Sequence, residues 1–345
     1  MARLLVERSK IRANLATVRQ KTGRIPLMGV LKGDAYGLGL LETARCLREE
    51  GISFFGVDAP ADGLLLRESG FSDEEILLLR STALPEEIDM LLDAHLIATV
   101  GSQDAAVALS ALAERRSTVA VAHVYVDTGT GRASFTPQGI DTILSVYRYM
   151  PNIAVAGLYT YVNAHAGRKA ALAQCGQLRA MAQRIDAEGF DVGLVHAAGS
   201  TLLFTHETPL FDMVRVGAAV SGRIAGKHAL ARVGVLEAPI VELGRLPKAS
   251  RVGTTASVKL RRDTQFAMVA AGKADGVRFA PRGKGLFSSF WELPVYLDRQ
   301  RLKVLGNVGL SHLLVDVTGL ACSVGQSVHI VCDPVQAARP PRQYV

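Results

Sequence analysis

Leu27-Met28-Gly29-Val30-Leu31-Lys32-Gly33-Asp34-Ala35-Tyr36-Gly37 passes directly from an apolar run into a lysine and a glycine-flanked turn. The apolar part has the length and character of a strand covered on both faces. A lysine at the tip of such a strand is costly in its charged form, because burial strips the ammonium of water. A lysine whose proton affinity falls in this way can condense with a carbonyl compound. The plain alternative is a stem that follows the strand while the ammonium reaches solvent. The rest of the chain decides between the two.

Outward from this stretch, short apolar runs alternate with longer amphipathic ones up to about residue 215. Strands are expected at 27–31, 53–57, 76–79, 96–98, 119–126, 154–159, 192–196 and 212–215. Helices are expected at 40–50, 59–69, 86–94, 104–115, 138–150 and 168–188, where apolar residues recur three and four positions apart. Eight strands, each followed by a helix or helix-like turn, predict an α/β chain with a (β/α)8 barrel over residues 1–224. A doubly wound open sheet is the rival, and the absence of a Gly-rich dinucleotide turn after the first strand weighs against it. Beyond residue 224, β-rich runs at 252–260, 265–271, 301–305, 313–318 and 327–332 are separated by Gly, Pro and Asp. They predict a separate β domain over residues 225–345.

The chain has 345 residues, 49% hydrophobic and 21% charged, as an ordinary globular protein does. No apolar run is long enough to span a bilayer, and the first residues lack the apolar core of a secretory signal. Four dispersed cysteines form no C-x-x-C pair, so neither a zinc knuckle nor a disulfide framework is expected, and a cytoplasmic location fits best. The formal charge is +7. Residues 243–303 hold 13 Lys/Arg against 4 Asp/Glu, while the remainder is slightly acidic. This basic segment has few aromatic residues for base stacking and no nucleic-acid motif, so a solvated face near an anion-using site is the better reading.

Barrels assemble their sites at the C-terminal ends of their strands. The first strand delivers Lys32 and Tyr36 there. The fifth runs into Asp127-Thr128-Gly129-Thr130-Gly131-Arg132, the sixth into Tyr159-Thr160-Tyr161, the seventh into His196-Ala197-Ala198-Gly199-Ser200 and the eighth into Arg215-Val216-Gly217-Ala218. The last two loops are where barrels commonly hold phosphate. Each piece alone has a bland reading, as a turn, a core histidine or a core ion pair. Together, a carbonyl-reactive lysine, a phosphate cradle and aromatic side chains point to pyridoxal 5'-phosphate, with no metal.

These ordered motifs resemble those of the alanine racemase family of fold-type III pyridoxal-phosphate enzymes, over essentially the whole chain. The resemblance implies that Lys32 holds the cofactor as a Schiff base and acts as one acid–base group. It implies that Tyr36, Ser200, Tyr344, Gly217 and Ala218 bind the phosphate, that Arg215 faces the pyridine nitrogen and that Tyr161 and His196 line the cofactor. Arg132 and Leu310 fall at positions expected to contact the substrate. The resemblance further implies a small amino-acid substrate and a homodimer with shared active sites, without nucleic acid or membrane.

The chain departs from the family pattern on the substrate side. The family's second catalytic base, a β-domain tyrosine, aligns with Thr254 in Arg251-Val252-Gly253-Thr254-Thr255. A threonine hydroxyl is a far weaker acid than an activated tyrosine. Lys273 stands where the family has tyrosine in a Gly-Tyr-Ala-Asp-Gly motif, and is the candidate replacement base or a contact for a second substrate carboxylate. Tyr125 replaces a lysine two residues before the Asp-Thr-Gly turn, and Tyr161 a histidine expected against the cofactor ring. The expectation is an amino-acid racemase or epimerase with an altered second face. Retro-aldol, elimination or decarboxylation chemistry, and a non-catalytic cofactor-binding protein, stay open beside it.

Overall fold

The structure is a computed structural model and describes residues 1–132, 134–226, 228–253, 258–282 and 290–345. The chain divides into one unit of residues 11–35 and 40–232 and another of residues 1–10, 36–39 and 233–345.

The chain begins with β1 (Arg3–Val6). The larger unit then lays down β2 (Leu27–Val30), β3 (Phe54–Val57), β4 (Glu75–Ser81), β5 (Ile97–Val100), β6 (Ala120–Tyr125), β7 (Ile153–Tyr159), β8 (Leu194–His196) and β9 (Val214–Val216). All neighbours pair in parallel in the order β8-β7-β6-β5-β4-β3-β2-β9. A parallel bridge between Gly199, just past β8, and Arg215 in β9 closes the ring. Strands β2, β3 and β5 are buried along their whole length, which is why they read as unbroken apolar runs rather than alternating ones. The expected eight-stranded barrel is therefore observed, with strand ends shifted by at most two residues.

Helix Arg8–Thr22, which the apolar periodicity did not single out, buries Ile11, Asn14, Leu15, Val18 and Thr22. Asn14 makes this polar stripe tolerable. Its amide nitrogen donates to the carbonyls of Val220 (2.9 Å) and Ala231 (2.7 Å), and its oxygen accepts from the Ala231 N–H at 2.7 Å. A buried amide so satisfied carries no desolvation deficit and pins the segment that follows β9.

In the smaller unit, strand β10 (Val235–Leu246) pairs antiparallel with β1, with Ser327–Ile330 and with Thr264–Val269. Strands Leu313–Asp316, Gln300–Leu305 and Val295–Leu297 complete a closed antiparallel ring from Thr264–Val269 back to Ser327–Ile330. Strand β1 pairs in parallel with Arg342–Tyr344, so the two ends of the chain meet in one sheet. The expected run at 252–260 is interrupted: Arg251–Val252 pairs with Val258–Lys259, and Thr254, the proposed substitute for the second base, lies outside the described residues.

Among the described residues no helix is long and apolar enough to cross a membrane. None of them form a group of three or more His, Cys, Asp or Glu able to hold a metal ion.

Candidate functional site

Lys32 lies two residues beyond β2, at the C-terminal mouth of the barrel. Immediately after it the backbone turns left-handed. Gly33, Asp34 and Ala35 all lie near φ 55°, ψ 50°, and Tyr36 follows at φ 59°. For the three residues with a Cβ this conformation costs about 1–2 kcal/mol each. The turn is held by three bonds: Ala35 N–H to the Leu31 carbonyl at 2.8 Å, Leu40 N–H to Asp34 Oδ1 at 2.7 Å, and Gly33 N–H to Asp58 Oδ1 at 3.3 Å. Strain held beside a reactive side chain is a mark of functional sites. Burial lowers the proton affinity of the Lys32 amine; the Asp58 carboxylate opposes this, and the charges of Arg132 and Arg215 reinforce it.

Arg215, in β9, is buried and ties the barrel wall together. One Nη donates to His196 Nδ1 (2.6 Å) and to the His196 carbonyl (3.1 Å); the other donates to the carbonyls of Thr160 (2.6 Å) and Ala197 (3.0 Å). Because a guanidinium only donates, His196 Nδ1 must be unprotonated. Its proton sits on Nε2, which donates to His123 Nδ1 at 2.9 Å, so both imidazoles are neutral and the chain of bonds has one direction. Burial, the arginine charge and the neighbouring His123 push His196 well below the ordinary imidazole range. Burial and Arg215 lower His123 to about 4. Burial lowers Arg215 itself to about 10, where it still carries its proton near neutrality.

The Tyr159 ring stacks on His196, with centroids 4.7 Å apart and 2° between planes, and the Arg215 guanidinium lies 5.3 Å from the same ring. The Thr99 hydroxyl donates to the Leu78 carbonyl at 2.6 Å, so the Tyr159 hydroxyl donates to Thr99 at 2.9 Å. Thr99 and Tyr159, like His123 and His196, reach each other across an intervening strand, which places these polar groups in the barrel interior. Both ring nitrogens of His196 are therefore spent inside the wall. Any influence it has on the mouth runs through Arg215.

Arg132 stands on the loop after β6. Burial disfavours the Asp127 carboxylate, but N–H groups of Thr130 (2.6 Å) and Gly129 (2.9 Å) and the Thr130 hydroxyl outweigh it and hold the carboxylate below its usual range. The loop is thus wrapped around one anion. A bond of 2.8 Å between the hydroxyls of Thr128 and Thr160 joins it to the segment that accepts from Arg215. The Arg132 guanidinium sits 4.8 Å from the centre of the half-exposed Tyr161 ring, a cation–π pair. Ser200 is buried, and its Oγ accepts the Gly217 N–H at 3.2 Å, which leaves the hydroxyl proton to donate elsewhere. Lys32, Arg132, Tyr161, His196, Ser200, Arg215, Gly217 and Ala218 are thus all carried on loops or strand ends at one mouth of the barrel.

The remaining expected residues belong to the smaller unit. The Tyr344 hydroxyl donates to the Leu38 carbonyl at 2.9 Å, two residues past Tyr36, and Arg342 Nε donates to Gly37 at 3.0 Å. A Cβ on Gly39 would lie 1.9 Å from the Tyr344 hydroxyl, so only glycine admits this contact. Lys273 is exposed at the start of the short helix Lys273–Asp275. Its N–H bonds to Gly309, and the next N–H bonds to Leu310, both at 2.9 Å, which brings Lys273 beside the 72% exposed Leu310.

The family model of the alanine racemase N-terminal domain matches residues 6–224, and that of the C-terminal domain matches residues 233–341. The chain belongs to the alanine racemase family. The alanine racemase of Clostridium novyi (strain NT) is 26% identical over 331 residues, covering 92% of this chain and 83% of that protein. A broad specificity amino-acid racemase of Pseudomonas taetrolens is 28% identical over 325 residues, covering 91% and 76%. Among solved structures, alanine racemase from Bartonella henselae with covalently bound pyridoxal phosphate superposes with a TM-score of 0.81. It is 20% identical and covers 100% of this chain and 99% of that one.

Within this alanine racemase fold, the residues that sequence reasoning missed are His123, Thr99 and Asp58. A lone histidine in the apolar run 119–126 was the available signal for His123. Its partner becomes evident only once the pairing of His123 with Gly157 and of Gly157 with Leu194 is known.

Proposed function

We propose that this chain is a pyridoxal-phosphate-dependent amino-acid racemase or epimerase whose second face differs from that of its relatives. The observation that carries the reading is the state of Arg215. Its four Nη hydrogens are spent on the barrel wall, and Nε–H is left as the donor for an aromatic ring nitrogen. Lys32 interacts electrostatically with Arg132, Arg215 and the Asp58 carboxylate. Arg132 and Arg215 are the cations placed to face an anionic ligand. The Ser200 hydroxyl adds a free donor. An amine of lowered proton affinity, a ring-nitrogen donor and an anion-binding loop fit the aldehyde, pyridine and phosphate of the cofactor.

When bound, the cofactor supplies an electron-withdrawing ring that makes the α-proton of an amino acid removable. Lys32 anchors it and holds or returns the α-proton on one face. Arg215 keeps its own proton, so its Nε–H would donate to the cofactor's ring nitrogen and would disfavour protonation there. Ser200, Gly217, Ala218, Tyr36 and Tyr344 would hold the phosphate, the Tyr344 hydroxyl turning from the Leu38 carbonyl to do so, and Tyr161 would line the ring. Arg132 would take the substrate carboxylate, and Leu310 is a further candidate substrate contact. Lys273 is the candidate for the opposite face, because Thr254 is too weak an acid to serve there. The chain acts in the cytoplasm as a homodimer with shared sites.

The test is incubation of the purified protein with single amino-acid enantiomers in heavy water. Exchange at the α-carbon with inversion is expected. Exchange with retention alone would confine the chemistry to the Lys32 face. Release of aldehyde, keto acid or carbon dioxide would replace racemisation with bond cleavage. A cofactor-loaded protein that neither exchanges nor forms product would overturn the enzymatic reading. Lys273→Ala is expected to lower turnover more than cofactor binding, and equal damage to both would reject its role.

A further inference from the structure

Asp58 is the first residue past β3, the barrel strand beside β2, so it stands at the mouth next to Lys32. Its Oδ1 accepts the N–H of Gly33, the residue that follows Lys32 and opens the left-handed turn. The Arg80 guanidinium interacts with it electrostatically but forms no ion pair with its carboxylate. Arg80 Nε donates to the Asp58 backbone carbonyl at 2.8 Å, while its two Nη groups grip Glu87 at 2.8 and 2.6 Å. Among the described residues neither Asp58 nor Lys32 forms a closed ion pair. Asp58 and Asp34 both face Asp62, in helix Pro60–Glu68, and burial together with these two carboxylates raises Asp62 above its ordinary value. Arg132 and Arg215 face Lys32 from the loop after β6 and from β9.

We infer that Asp58 is a positioning residue for the Lys32 amine, serving as its counter-charge and as the brace of the turn that carries it. This rests on the reading of Lys32 as the cofactor anchor. The two arginines at the mouth, needed for anions, work against a protonated lysine, and burial works in the same direction. An amine asked both to take and to return a proton needs an opposing charge, and Asp58 is the carboxylate so placed. Because the pair is not closed, the amine stays free to move between cofactor and substrate.

The experiment follows the visible absorption that appears when pyridoxal 5'-phosphate is added to protein stripped of cofactor with hydroxylamine, across a range of pH. The rate rises with pH as the amine loses its proton. Asp58→Asn keeps an oxygen for the Gly33 N–H but removes the charge. Its midpoint is expected about one pH unit below that of the unmodified protein, so that it reacts about tenfold faster at pH below both midpoints. Asp58→Ala is expected to show the same shift with a lower plateau rate, because the turn loses its brace. Identical midpoints in all three proteins would overturn the inference. So would a defect confined to Asp58→Ala, which would leave Asp58 as a turn brace alone. Lys32→Ala is the control for the underlying reading: if it reacts like the unmodified protein, the anchor is elsewhere and the whole assignment fails.

Discussion

The buried His196–His123 pair sets a specific acid sensitivity. Both rings must be neutral in the folded protein, because Arg215 donates to one and that ring donates to the other. His123 titrates near 6.5 when exposed and at about 4 when folded. The unfolded chain therefore binds this proton first as pH falls. Stability is full above about pH 6.5 and drains away as pH drops toward 4. Between about pH 7 and about pH 5 His123 alone removes about 2 kcal/mol, by the difference in proton binding between the two states. His196, pushed down by burial, the arginine and His123, acts in the same direction. The His123 loss alone is a sizeable part of the 5–15 kcal/mol that holds a typical domain folded. His123→Gln offers an amide oxygen to His196 Nε2–H but does not titrate. In urea unfolding followed by far-ultraviolet circular dichroism on cofactor-free protein, its loss of stability between those two pH values should be about 2 kcal/mol smaller than that of the unmodified protein. Equal losses in the two proteins would refute the neutral, directional chain.

Two further outcomes follow from packing. Gly157→Ala would place a Cβ 2.7 Å from both the Leu194 carbonyl oxygen and His123 Cε1, neither of which can swing away, and is expected to cost about 1–3 kcal/mol in the same unfolding experiment. A neutral result would mean that β7 and β8 are not in the register described. Asn14→Ala would strip three buried bonds and is expected to cost about 3 kcal/mol. It should also speed amide hydrogen exchange over residues 220–231, and unchanged exchange there would count against the pinning role.

The barrel was legible because its strands are apolar on both faces and its helices on one, so the period changes along the chain mark every element. Helix Arg8–Thr22 escaped because it buries Asn14 and Thr22 in its stripe, and hydrogen bonds rather than hydrophobicity satisfy them. Strand β1 escaped because its partners, Arg342–Tyr344 and β10, lie more than 200 residues away. The residues expected at the mouth were legible because strand ends carry side chains that a core would not otherwise choose. His123 and Thr99 were hidden because their importance comes from meeting His196 and Tyr159 across an intervening strand. Asp58 reads as an ordinary turn acid until its bond to the Gly33 N–H sets it beside Lys32.

The most direct measurement is the visible spectrum of the cofactor-loaded protein beside that of Lys32→Ala, followed by borohydride reduction and peptide mapping. The unmodified protein should show the absorption of a lysine-linked cofactor and carry the reduced label on the peptide containing Lys32, and the variant should show neither. An unchanged spectrum in the variant, or a label on any other lysine, would contradict the account.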